Sequence, residues 1–130
     1  MIGKAYIFDP KKWSDEGLRL TDFKRGTLLY VETRKSIYQI EVLEDRYVEI
    51  MGGMLQNGEH RFPKPISAVI AGSTFGGSMI KIAWIGYQMH MEIHLMPAAF
   101  RGQVLTTTAV QNVVIESPDK SWSYSLDWNK

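Results

Sequence analysis

The chain has 130 residues, Lys+Arg 15 against Asp+Glu 14, no cysteine, and 45% apolar content. That length suits one domain with a real core. The near-neutral charge excludes a global field for nucleic acid or anionic lipid, and the missing cysteines exclude disulfides, thiolate chemistry and Cys-based zinc sites.

The N-terminus, MIGKAYIFDP, lacks the long apolar run of a signal peptide, so a cytoplasmic protein is expected. Pro65–Ile80 is uncharged but too short and polar for a spanning helix. Charge is unevenly spread. Residues 1–50 carry nine basic and nine acidic side chains, whereas residues 51–115 carry four and two, with six of the seven methionines. Such a middle reads either as buried sheet or as an oligomer interface, where charge is depleted and Met enriched.

Residues 1–25 are an irregular segment packed on the domain. Ala5–Phe8 suggests a short strand, and Pro10–Glu16 a helical turn capped by Asp9. Leu18, Leu20 and Phe23 lead through Gly26 into Thr27–Met51, the most informative stretch, which reads as three antiparallel strands. Paired residues share a face and successive residues alternate faces. Pairing Val42 with Val48 and Ile40 with Ile50 leaves the loop Glu44-Asp45-Arg46. A loop Arg34–Ile37 would pair Thr33 with Tyr38 and Val31 with Ile40. Val31, Ile40, Val42, Val48 and Ile50 then share one buried face. The same register sets Glu41 opposite Glu49, which is mildly destabilising.

Gly52-Gly53 is expected to break the third strand, and residues 54–65, with Asn57-Gly58 and two prolines, to form a loop or hairpin. Ile66–Ala71 reads as a buried strand, Gly72–Ser78 as an inter-strand loop, and Met79–Ile85 as a strand. Tyr87–Leu95 alternates apolar and polar without exception. Residues 103–116 suggest a strand pair or one kinked strand, and Trp122–Trp128 the last strand. These elements predict an all-β single domain over residues 1–130. It is an antiparallel barrel or sandwich of about eight or nine short strands with little or no helix.

His90, Glu92 and His94 are the most tempting chemical set, and would face the same way on a strand. The two imidazoles would lie about 13 Å apart, too far to converge on one zinc. No metal and no cofactor are therefore expected, although a metal-dependent enzyme built on this strand is the third reading. Gly72–Ser78 mimics a nucleophile elbow and a phosphate loop, yet strand follows where the elbow needs helix, and Ser78 stands where the phosphate loop needs Lys. Phe75 at its tip is placed to dock onto something.

Basic residues meet aromatics at Lys11-Lys12-Trp13, Phe23-Lys24-Arg25, Arg34-Lys35 near Tyr38, and His60-Arg61-Phe62 with Lys64. Basic grooves with stacking rings bind single-stranded nucleic acid. Acidic neighbours and the neutral total make that the second reading. Trp122, Tyr124 and Trp128 together represent roughly 450–750 Å² of aromatic surface, too much to leave bare, so core or a partner should cover them. The favoured function is a non-enzymatic β module acting through protein–protein contact, by self-assembly. Phe75, Trp122, Tyr124 and Trp128 are its candidate interface residues.

Overall fold

A computed structural model describes residues 16–54, 62–76 and 79–128. The expected strand at 5–8, the turn at 10–15, the Asn57-Gly58 hairpin and the basic clusters at 11–13 and 60–61 lie outside the described residues. Ten strands follow in chain order: β1 (Gly17–Arg19), β2 (Leu28–Thr33), β3 (Ser36–Val42), β4 (Tyr47–Met54), β5 (Phe62–Thr74), β6 (Lys81–Ile82), β7 (Trp84–Gly86), β8 (His90–Leu95), β9 (Val104–Glu116) and β10 (Ser123–Asp127). Helix among the described residues is confined to two single 3-10 turns, Leu20–Asp22 and Ala98–Phe100.

Antiparallel pairing runs β2–β3–β4–β5–β8–β9, and β9 returns to β2, so six strands close a barrel. Closure removes the sheet edges that a sandwich would have to protect. Two strands are long enough to change neighbours. β5 pairs β4 through its first half, then β8 and the short β6. β9 pairs β8 through its first half, then β2, with β10 added beside its second half. The ribbon of β1 and β7 lies outside this circuit. Trp84 joins that ribbon to β6, with Lys81 Nζ 3.8 Å and Arg19 Cζ 5.5 Å from its ring centroid.

The interior follows from alternation. Val31, Ile40, Val42, Val48 and Ile50 are buried together, as their row predicts. Met91, Ile93, Leu105, Val113 and Ile115 supply the wall opposite in sequence, and Leu18, Leu20 and Phe23 complete the core. The β3–β4 register matches the sequence reading: Ile40 faces Ile50, Val42 faces Val48, and Glu41 lies opposite Glu49.

The β2–β3 register differs from expectation by two residues. Val31 pairs with Tyr38 and Leu29 with Ile40, which shortens the loop to Arg34-Lys35. The cause is the Thr33 hydroxyl, which accepts from the Ser36 N–H at 3.1 Å and the Lys35 N–H at 3.4 Å and so closes a tight turn. A slip of two preserves faces, which is why the buried set survived the error.

Other strand limits also differ. β4 runs through Gly52-Gly53 rather than stopping there, because Gly52 takes φ +93° and the strand absorbs a bulge against β5. Phe62–Pro65 belongs to β5 rather than to a loop, and β5 continues through Gly72–Thr74. The expected strand Met79–Ile85 is cut in two by Ala83 at φ +61°. The alternation over Tyr87–Leu95 persists in burial, but Gln88 at φ +63° makes Tyr87-Gln88 a turn and the strand starts at His90. Residues 104–116 form one irregular strand, the second of the two forms expected for them.

Candidate functional site

Two surfaces gather residues with chemistry. The first is a cleft of about 600 Å³ at one end of the barrel. It brings together the Arg34-Lys35 turn, Phe75 after β5, Gln88 and His90 at the start of β8, and Thr108 of β9. These were separate features in the sequence, and closure of the barrel assembles them.

Each contributor is held by its own backbone bonds. The Arg34 N–H donates to the Ala109 carbonyl at 3.0 Å and the Lys35 N–H to Thr108 Oγ1 at 3.3 Å. Thr108 Oγ1 in turn donates to Thr33 Oγ1 at 2.9 Å. Around Phe75, the Thr74 hydroxyl accepts from the Gly76 N–H at 2.9 Å. The Gln88 N–H donates to the Val110 carbonyl at 2.8 Å. His90 Nδ1 lies 2.8 Å from the Thr107 carbonyl, a contact that requires Nδ1–H and leaves Nε2 for another partner.

A bulge explains the cleft. Between His90 and Glu92 the β8–β9 register shifts, so that His90 faces Ala109 while Glu92 faces Thr106. The extra residue in β9 swings Thr107 and Thr108 out of step and re-aims the side chains there. It also divides the sequence-predicted set. His94 Nε2 donates to Glu92 Oε2 at 3.2 Å on the outer face, whereas His90 turns to the Thr107 carbonyl and the cleft. Among the described residues no group of three or more His, Cys, Asp or Glu is placed to hold a metal ion.

The second surface is the outer face of β4, β5, β8 and β9. Directly opposed residues form a row across all four strands: Tyr47 faces Val69, Val69 faces His94, and His94 faces Val104. Tyr47 is 47% and Val104 45% exposed, and Met96, just past β8, is 49% exposed. The sequence reading did not single out Tyr47, Met96 or Val104. Their mutual approach depends on strand order, which local periodicity does not carry.

The four residues nominated as interface anchors are dispersed. Phe75 is half exposed at the cleft. The β10 row does not behave as one covered face. Leu126 is buried on Val113's side of the barrel and Trp128 is half-buried, its ring 5.6 Å from that of Tyr87. Trp122 and Tyr124 remain 42% and 53% exposed, because β10 lies beside the barrel wall rather than within it. Core burial of the whole row is therefore corrected. Of the basic clusters, Lys24, Arg25 and Lys64 are exposed while Phe23 and Phe62 are core, so those rings cannot stack on a base. No described helix is long and apolar enough to cross a membrane.

No family model, curated protein or solved structure matches the chain.

Proposed function

We propose that the protein is a non-enzymatic barrel module that acts through protein–protein contact, pairing with a second copy across the outer face of β4, β5, β8 and β9. The observation that carries this reading is the row Tyr47–Val69–His94–Val104, half-buried at Val69 and exposed at its other three members, with exposed Met96 beside it. Closure pairs both edges of the six barrel strands, so their edges are not the reason for self-assembly, and this face is the better candidate.

A second copy suits the face because the row is unequal at its ends. A two-fold axis near its middle sets the large Tyr47 of one copy over the small Val104 of the other. Such self-complementarity is what an isologous interface requires. A standard interface takes about 800 Å² from each partner, enough to cover the row and its flanks. What supports binding over catalysis is the separation of His90 from Glu92–His94. His90 lines the cleft, whereas His94 is paired with Glu92 on the outer face of the barrel.

The test is molar mass by light scattering at tens of micromolar protein in low and moderate salt. Twice the 14.9 kDa chain mass is expected, with Tyr47→Ser and Val104→Asp returning the monomer with unchanged circular dichroism. A monomer in both salts would sink the reading. A dimer indifferent to both substitutions would sink the choice of face.

A further inference from the structure

We infer that the barrel-end cleft is a binding site for a small ligand that joins a phosphate group to a flat ring, a mononucleotide in chemical class. The cleft is independent of the face proposed for association.

Charge sets the first requirement. Arg34 and Lys35 border the cleft, no Asp or Glu lines it, and neither cation is ion-paired among the described residues. Two cations without a carboxylate favour an anion, and a guanidinium beside an ammonium suits phosphate oxygens. The backbone that carries them is fixed before any ligand arrives, since the turn is bonded through its own N–H groups to Ala109 and Thr108 of β9. Preorganisation of this kind lowers the ordering cost of binding.

Size and lining set the second requirement. At about 600 Å³ the cleft is far larger than an inorganic anion and falls in the range of small-molecule sites. Phe75 supplies an aromatic face at its wall. A planar ring on that face would place its polar edge among Gln88, Thr108 and the Nε2 of His90. With Nδ1 committed to the Thr107 carbonyl, Nε2 accepts from a sugar hydroxyl or an exocyclic amine. Cation, stacking ring and edge-reading polar groups are the three parts that recognition of a phosphorylated base needs.

Isothermal titration calorimetry of the full chain tests this at low salt with AMP, ADP, adenosine, inorganic phosphate and a short single-stranded oligonucleotide. AMP or ADP should saturate one site per chain, and adenosine and phosphate alone should each bind roughly tenfold or more weakly. Arg34→Ala with Lys35→Ala should lower ADP affinity by roughly tenfold or more and flatten its salt dependence. Phe75→Ser should weaken ADP while leaving phosphate unchanged. All three positions are exposed, and thermal unfolding checks that the variants stay folded. The inference is overturned if no mononucleotide saturates, if phosphate binds as tightly as ADP, or if the variants bind ADP like the parent. Tighter binding of the oligonucleotide than of any mononucleotide overturns it in favour of a nucleic-acid surface.

Discussion

Ile40 and Ile37 lie on one strand, three residues apart, and alternation sends them to opposite faces. Ile40 is fully buried between Leu29 of β2 and Ile50 of β4, whereas Ile37 is 50% exposed on the outside. Ile40→Ala deletes three carbons from the interior, about 2.4 kcal/mol at ~0.8 kcal/mol for each. The strands on both sides are held by ladder bonds within a closed barrel, so they cannot collapse into the gap. The cavity should therefore carry the total into the upper half of the ~2–5 kcal/mol range. Ile37→Ala removes the same atoms from a half-wet site and should cost about 1 kcal/mol. Urea unfolding followed by fluorescence measures both, at one protein concentration because association would add to apparent stability. Equal losses for the two variants, or a larger loss at Ile37, would refute the assignment of faces on which the whole barrel interior rests.

Two further outcomes follow from local geometry. A Cβ at Gly52 would stand 2.4 Å from the Ile37 carbonyl oxygen at φ +93°, whereas at Gly76, φ +117°, it meets nothing within 4 Å. Gly52→Ala should therefore cost more than the roughly 1–3 kcal/mol of backbone strain that limits Gly76→Ala, and equal melting shifts would refute the bulge in β4. The carboxyl of Asp119 is lowered from 3.8 to about 2 by the Ser121 hydroxyl first, then the Ser121 N–H and the Ser117 hydroxyl. A depressed folded value means that the turn's contribution is complete above pH 3.8 and is lost as pH falls through about 2. A carboxyl-detected NMR titration should find that midpoint, and one near the ordinary value would show the turn open.

What the sequence disclosed was whatever one strand or one hairpin carries in itself. β3 and β4 both bear unbroken apolar rows, so registers of one parity bury Ile40, Val42, Val48 and Ile50 together, and the short loop at Glu44-Asp45-Arg46 selects the one that forms. Where a side chain closes the turn, as Thr33 does, pattern alone misplaced the pairing by two. The His90–Glu92–His94 alternation was read correctly for its own strand, yet the bulge that separates His90 from the pair belongs to the partner strand, at Thr107-Thr108. The cleft was least legible. Arg34-Lys35, Phe75 and His90 each drew notice, but only the return of β9 to β2 puts them in one place. Trp122 and Tyr124 were judged by size alone, and size does not say that β10 sits outside the closed circuit.

That return has a kinetic consequence. The β3–β4 hairpin joins residues six apart, Val42 and Val48, whereas the β2–β9 seam joins Leu28 to Glu116. Closing the longer loop from an unfolded chain costs about 2 kcal/mol more in entropy. The meander from β2 to β5 can therefore form early, and the seam must wait until β8 and β9 have been laid beside it. Folding on the millisecond-to-second scale typical of non-local β proteins is the outcome. Until the seam closes, β2 and β9 both offer unpaired backbone to any neighbouring chain, so the open sheet that precedes the barrel is the stage most exposed to aggregation.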